Sequence, residues 1–94
     1  MIIVGIMVID LHSKSTHSLK EKRNIIASIK GKLKQKFNIS IIESDYQDRW
    51  QKIQLAISMV SNSRVMIEKI FNQIEDFIYL NYPVQLVAVD KEYI

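Results

Sequence analysis

The sequence has no cysteine, one proline, two glycines and one tryptophan in 94 residues. Without cysteine there is no disulfide, no thiolate nucleophile, no iron–sulfur cluster and no thiolate zinc site. The same absence suits a reducing compartment. So little glycine and proline leaves no flexible linker and no low-complexity tail. With 48% hydrophobic residues the chain can bury one core, so residues 1–94 are expected to form a single domain. Long apolar runs are also missing. The first, Ile2–Ile9, has no basic flank before it and meets Asp10. It is too short to span a membrane and wrongly flanked for a signal peptide, so the expected setting is cytoplasmic with no membrane partner. The loop at 12–17 holds no glycine, which excludes a glycine-rich phosphate cradle and with it acylphosphatase-like chemistry.

What is present is a clear alternation of patterns. Ile2–Leu11 is rich in Ile and Val, as in a central strand. His12–His17 is polar and loop-like. Ser18 stands three residues before Glu21, the spacing of a capping box, and Leu19, Ile26, Ile29, Leu33 and Phe37 fall on one arc. This predicts a helix over 18–36, with Gly31 on its far side and Asn38 as a left-handed stop. Ile39–Ser44 predicts a short strand, Tyr46–Gln51 a turn, and the alternation Ile53, Leu55, Ile57, Met59 a second half-buried strand. Ser61–Ser63 offers N-caps for a helix carrying Ile67, Ile70, Phe71, Ile74, Phe77 and Ile78 on one arc. Pro83 ends it and Val84–Val89 forms a last strand. The order β-α-β-β-α-β predicts an α+β, ferredoxin-like sandwich, a four-stranded antiparallel sheet with two helices on one face.

That architecture leaves one sheet face bare. Asp10 and His12 share a face of the first strand with Ile2, Val4, Ile6 and Val8. If the polar pair faces outward, four aliphatic residues lie exposed together, and a homodimer through the open sheet face is expected. Bases stacking on that face would need aromatics on the central strands, and Ile2–Leu11 and Lys52–Val60 contain none.

Charge is distributed unevenly. Residues 14–36 hold eight lysines and arginines against the single acid Glu21, a net of +7. The other 71 residues carry five basic and nine acidic groups, a net of −4. Lys20, Arg23, Lys30 and Lys34 stand on one flank of the predicted helix, with Lys22, Lys32 and Lys36 on the other. A helix with basic flanks can follow a phosphate backbone, giving affinity with little sequence reading. The competing role for Lys22, Arg23 and Lys30 is to lay their stems over the core edge. His12, His17, Glu43, Asp45 and Asp48 are the residue types of a metal or acid–base site, but no spacing gathers them. No catalytic residue, metal or cofactor is expected. In the turn, Trp50 is expected to pack across an end of the core while Asp48 caps the turn, a contact-loop role being the alternative.

His17-Ser18-Leu19-Lys20-Glu21-Lys22-Arg23, then Glu43-x-Asp45 and Asp48-x-Trp50-Gln51, resemble the YlxP-like family, the bacterial domain of unknown function 503. The likeness covers essentially the whole chain and implies a short, cytoplasmic, ferredoxin-like protein. Genes of this family often neighbour those for translation initiation and ribosome maturation factors, which implies work near RNA or ribosome assembly. The matching positions His17, Asp48, Trp50 and Gln51 carry no role that the family supplies. The expectation is a non-enzymatic RNA- or ribosome-associated accessory factor that holds phosphates through Lys20, Lys22, Arg23, Lys30, Lys34 and Lys36. The alternative is a dimeric interaction module that binds an acidic protein partner and no nucleic acid.

Overall fold

The computed structural model describes residues Met1–Ile94. Ile3–His12 is β1, Leu19–Lys36 is α1, Ser40–Asp45 is β2, Lys52–Ser61 is β3, Arg64–Asn81 is α2 and Gln85–Tyr93 is β4. The strands lie in the order β2-β3-β1-β4 with every neighbouring pair antiparallel. Each βαβ unit skips one strand, which is the expected ferredoxin-like sandwich.

Alternation decides which sheet face the helices cover. Met7, Ile9 and Leu11 of β1 and Ile53, Leu55 and Ile57 of β3 point one way and are buried. They meet Ile26, Ile29 and Leu33 of α1 and Ile67, Phe71, Ile74 and Ile78 of α2 in one core. Gly5 sets the closest approach between α2 and β1. A Cβ there would lie 2.4 Å from Ile67 Cγ2, so no side chain is tolerated without displacement.

The helix ends follow local chemistry. Ser18 Oγ accepts from the Glu21 N–H at 3.1 Å, while the Glu21 carboxylate accepts from the His17 N–H at 2.7 Å, one residue before the usual reciprocal partner. Ser63 caps α2 by accepting from the Met66 N–H at 3.3 Å. Asn38 is not the expected left-handed stop. Phe37 closes α1 in an extended conformation, its N–H still bonded to Leu33 O at 2.8 Å, and the chain runs straight into β2. Tyr82 ends α2 in the same way. β4 runs on to Tyr93, beyond the expected Val89, because Asp90, Lys91 and Glu92 keep pairing with Val8, Met7 and Ile6 of β1.

Candidate nucleic-acid interface

The flank of α1 that faces α2 is identified by its contacts. Ser28 Oγ and the Tyr82 hydroxyl lie 2.8 Å apart, Lys32 sits over the Tyr82 ring, and Lys36 Nζ lies 4.5 Å from the Phe77 ring centroid. The opposite flank carries Lys20, Arg23, Lys30 and Lys34, and it turns away from α2 beside the edge strand β2. The first and last of these are separated by about 21 Å along the helix axis. No carboxylate lies within ion-pairing distance of any of the four. Arg23, Lys20 and Lys34 are exposed and Lys30 is half-buried.

Lys22 does not belong to this surface. Its side chain is 0% exposed, and its ammonium donates to Tyr46 O at 2.5 Å and Lys52 O at 3.1 Å and pairs with Glu43 Oε2 at 2.9 Å. Two backbone carbonyls take hydrogen bonds from the ammonium and the Glu43 carboxylate balances its charge, which makes burial tolerable, although Glu43 Oε2 itself accepts no hydrogen bond. The expected phosphate contact at Lys22 is corrected to a structural clip. On the helix Lys22 lies in the same angular sector as Ile26, Ile29 and Leu33, so it points into the layer between α1 and the β2–β3 hairpin. Tyr46 is the only non-glycine residue with positive φ, at 62°, and its carbonyl accepts from both Lys22 and the Arg49 N–H. Lys36 is drawn over Phe77, off the line of the other four.

The motif residues of the β2–β3 turn separate into two kinds. Gln51 is structural: its Nε2 donates to Lys14 O at 3.1 Å and Thr16 O at 3.2 Å, and its carbonyl accepts from the Ser13 N–H at 2.9 Å. This latch holds the turn against the loop that enters α1. Asp48 does not cap the turn; Asp45 Oδ1 accepts from the Tyr46 N–H at 2.7 Å and Arg49 N–H closes on Tyr46 O. Trp50 does not pack on the core either. It is 56% exposed, because the latch and the Lys22 clip already close that end of the core with shorter side chains. The side chains of His17 and Asp48 are exposed and take no part in the hydrogen bonds that shape the turn. Glu43, committed to Lys22, is not available to pair with His17, and no three His, Asp or Glu side chains converge as a metal-holding group.

Sequence reasoning missed a second cluster, at the end of β1 and β3. His12 pairs with Lys52 across the strands, and a hollow of about 410 Å³ is lined by His12, Asp48, Arg49, Trp50, Gln51 and Lys52. A neighbouring hollow of about 290 Å³ is lined by Asp10, Leu11, His12, Tyr46, Lys52 and Val87. Beyond it the open sheet face carries a polar ladder: Ser44 Oγ lies 2.9 Å from Gln54 Oε1, and Gln54 Nε2 donates to Asp10 Oδ1 at 2.9 Å. The rest of that face is apolar. Ile42, Ala56 and Val8 stand in register across three strands. The phase expected for β1 is correct, but of its four aliphatics only Ile2 is exposed, at 76%, while Val4, Ile6 and Val8 are half-buried; Ile42 at 58% and Val60 at 63% are exposed on the neighbouring strands. Only the cross-strand register brings these residues together, and nothing in the linear spacing of His12, Arg49 and Lys52 signals it.

Comparison with known proteins bears on the fold and the family. Among solved structures, the de novo designed protein Foldit4 superposes with a TM-score of 0.55 at 12% identity, covering 100% of this chain and 97% of that one. The de novo designed protein Ferredog-Diesel gives 0.50 at 12% identity, covering 95% and 83%. Likeness at this identity concerns the fold alone. The uncharacterized protein YlxP of Bacillus subtilis (strain 168) is 46% identical over 61 residues, 65% of this chain and 66% of the relative, so the match spans just under two thirds of that protein's length. The family described as "Protein of unknown function (DUF503)" matches residues 4–91. No helix is long and apolar enough to cross a membrane. The chain therefore belongs to the YlxP-like family of proteins of unknown function, DUF503.

Proposed function

We propose that this protein is a non-enzymatic RNA-binding accessory factor, working beside the ribosome in the cytoplasm, whose α1 holds phosphates on Lys20, Arg23, Lys30 and Lys34. The observation that carries this is a flank of four cations with no ion-pair partner on a helix anchored by a buried lysine. Cations that folding leaves unpaired keep their full attraction for a polyanion, and release of condensed counterions then drives binding. A rigid helix sets the spacing of the charges, so the stripe positions a backbone without reading bases.

Anisotropy titration against single-stranded RNA at several salt concentrations tests this. Four phosphates engaged on a single strand give a slope of log K against log salt of about −3. Replacing Lys20, Arg23 and Lys30 with Gln should make the slope shallower by about 2 while the urea midpoint stays put. The second reading is a homodimer through the open sheet face that offers its basic flanks to an acidic protein; the in-register row Ile42, Ala56 and Val8 favours it. No RNA binding at low salt, together with a light-scattering mass of two chains, would replace the first reading with the second.

A further inference from the structure

The hairpin tip holds a large aromatic ring more than half in water and outside the core. Trp50 is 56% exposed and lies outside the core, yet the backbone beneath it is fastened from three sides. Lys22 clips the carbonyls of Tyr46 and Lys52, Arg49 N–H closes the turn on Tyr46 O, and Gln51 latches to Lys14 and Thr16. A large aromatic kept exposed on a rigid support is the usual form of a binding anchor.

Its surroundings define what the ring would meet. The hollow beside Trp50 is walled by Arg49, Lys52 and His12 on one hand and by Asp48 on the other. Neither Arg49 nor Lys52 has a carboxylate within ion-pairing distance. Lys52 Nζ is instead carried over the Tyr46 ring, 5.6 Å from its centroid. An aromatic face, unpaired cations and one free carboxylate match the three parts of a nucleotide: base plane, phosphate and base-edge amino group. A tip of this kind does not reach bases inside A-form RNA, whose deep major groove is too narrow, but it does meet a base that has left the stack.

We propose that Trp50 is the stacking platform of a nucleotide subsite, where an unpaired RNA base lies on the indole, its phosphate on Arg49, Lys52 and His12, and its amino edge on Asp48. This rests on the RNA-binding function above and names its substrate class as single-stranded RNA. The Gln51 latch sets the tip against the loop at 13–17, so the strand continues past Lys14 and His17 onto Lys20 and the rest of the stripe.

Trp50 is the single tryptophan, so its emission reports on this site alone. The protein is titrated with a short oligocytidylate, with the same RNA annealed to its complement, and with CMP, using N-acetyltryptophanamide to correct for non-specific quenching. Quenching by the single strand and by CMP, but not by the duplex, is expected. Trp50→Ala should weaken single-strand binding about 5- to 150-fold with an unchanged salt slope, and Trp50→Phe should recover most of it. Circular dichroism confirms that both variants remain folded. Single-strand binding with unchanged emission, or a loss below about twofold in Trp50→Ala, overturns the subsite and leaves the α1 stripe intact. Quenching by CMP without any RNA binding overturns the stripe and keeps the subsite, whereas silence in every titration removes both.

Discussion

Lys22 is the residue whose replacement tests the interior of this molecule most directly. Lys22→Met keeps an unbranched stem of similar bulk and deletes only the ammonium. Tyr46 O and Lys52 O then lose a donor, and Glu43 Oε2 loses its only counter-charge. Removing one member of a buried ion pair costs about 3–5 kcal/mol, chiefly because the other charge stays buried without compensation. The Glu43 side chain is 20% exposed and Tyr46 O retains its bond from Arg49, so the lower part of that range applies, about 3 kcal/mol. In a domain of this size the corresponding fall in melting temperature is roughly 12–24 °C. Urea unfolding followed by circular dichroism gives the free energy. Adding Glu43→Leu to Lys22→Met should restore about half the loss, since the stranded carboxylate goes with it. Lys22→Arg should not rescue, because a larger planar fork cannot serve two carbonyls and a carboxylate arranged around one buried ammonium. A cost below about 1 kcal/mol for Lys22→Met, or a double variant no better than the single, would refute the clip.

The two glycines should respond to alanine in opposite senses. Gly5→Ala drives a Cβ to 2.4 Å from Ile67 Cγ2 and 3.1 Å from the Phe71 ring, so α2 must shift; the expected cost is about 1–3 kcal/mol in the urea midpoint. Gly31→Ala meets nothing within 4 Å on the outer side of α1, and should raise stability by about 1 kcal/mol through helix propensity alone. A destabilised Gly31→Ala would mean that this side of α1 is not open to solvent.

Much of the architecture was legible because the split between core and solvent is written into local spacing. Ile26, Ile29 and Leu33 recur at helical intervals and Ile53, Leu55 and Ile57 at strand intervals, so element type and order follow from the chain alone. The Ser18 cap and the open position of Gly31 are also properties of one helix and were correctly expected. β4 was underestimated because Asp90, Lys91 and Glu92 belong to an edge strand, where pairing with β1 outweighs the lack of apolar alternation. Asn38 misled because left-handed helix stops are a statistical preference, and here Phe37 leaves the helix extended.

By itself the sequence determined an α+β sandwich, its charge polarity and a basic flank on its first helix, since composition and period are local quantities. Tertiary structure alone decided which basic groups reach water. Lys22 and Lys20 sit two residues apart with the same side-chain chemistry, yet one is enclosed by two carbonyls and a carboxylate from the β2–β3 hairpin and the other is exposed. The same holds at the tip, where the Lys22 clip and the Gln51 latch close the end of the core and leave Trp50 outside it. Burial of a polar side chain depends on whether distant backbone carbonyls converge on it, and chain spacing does not encode that convergence.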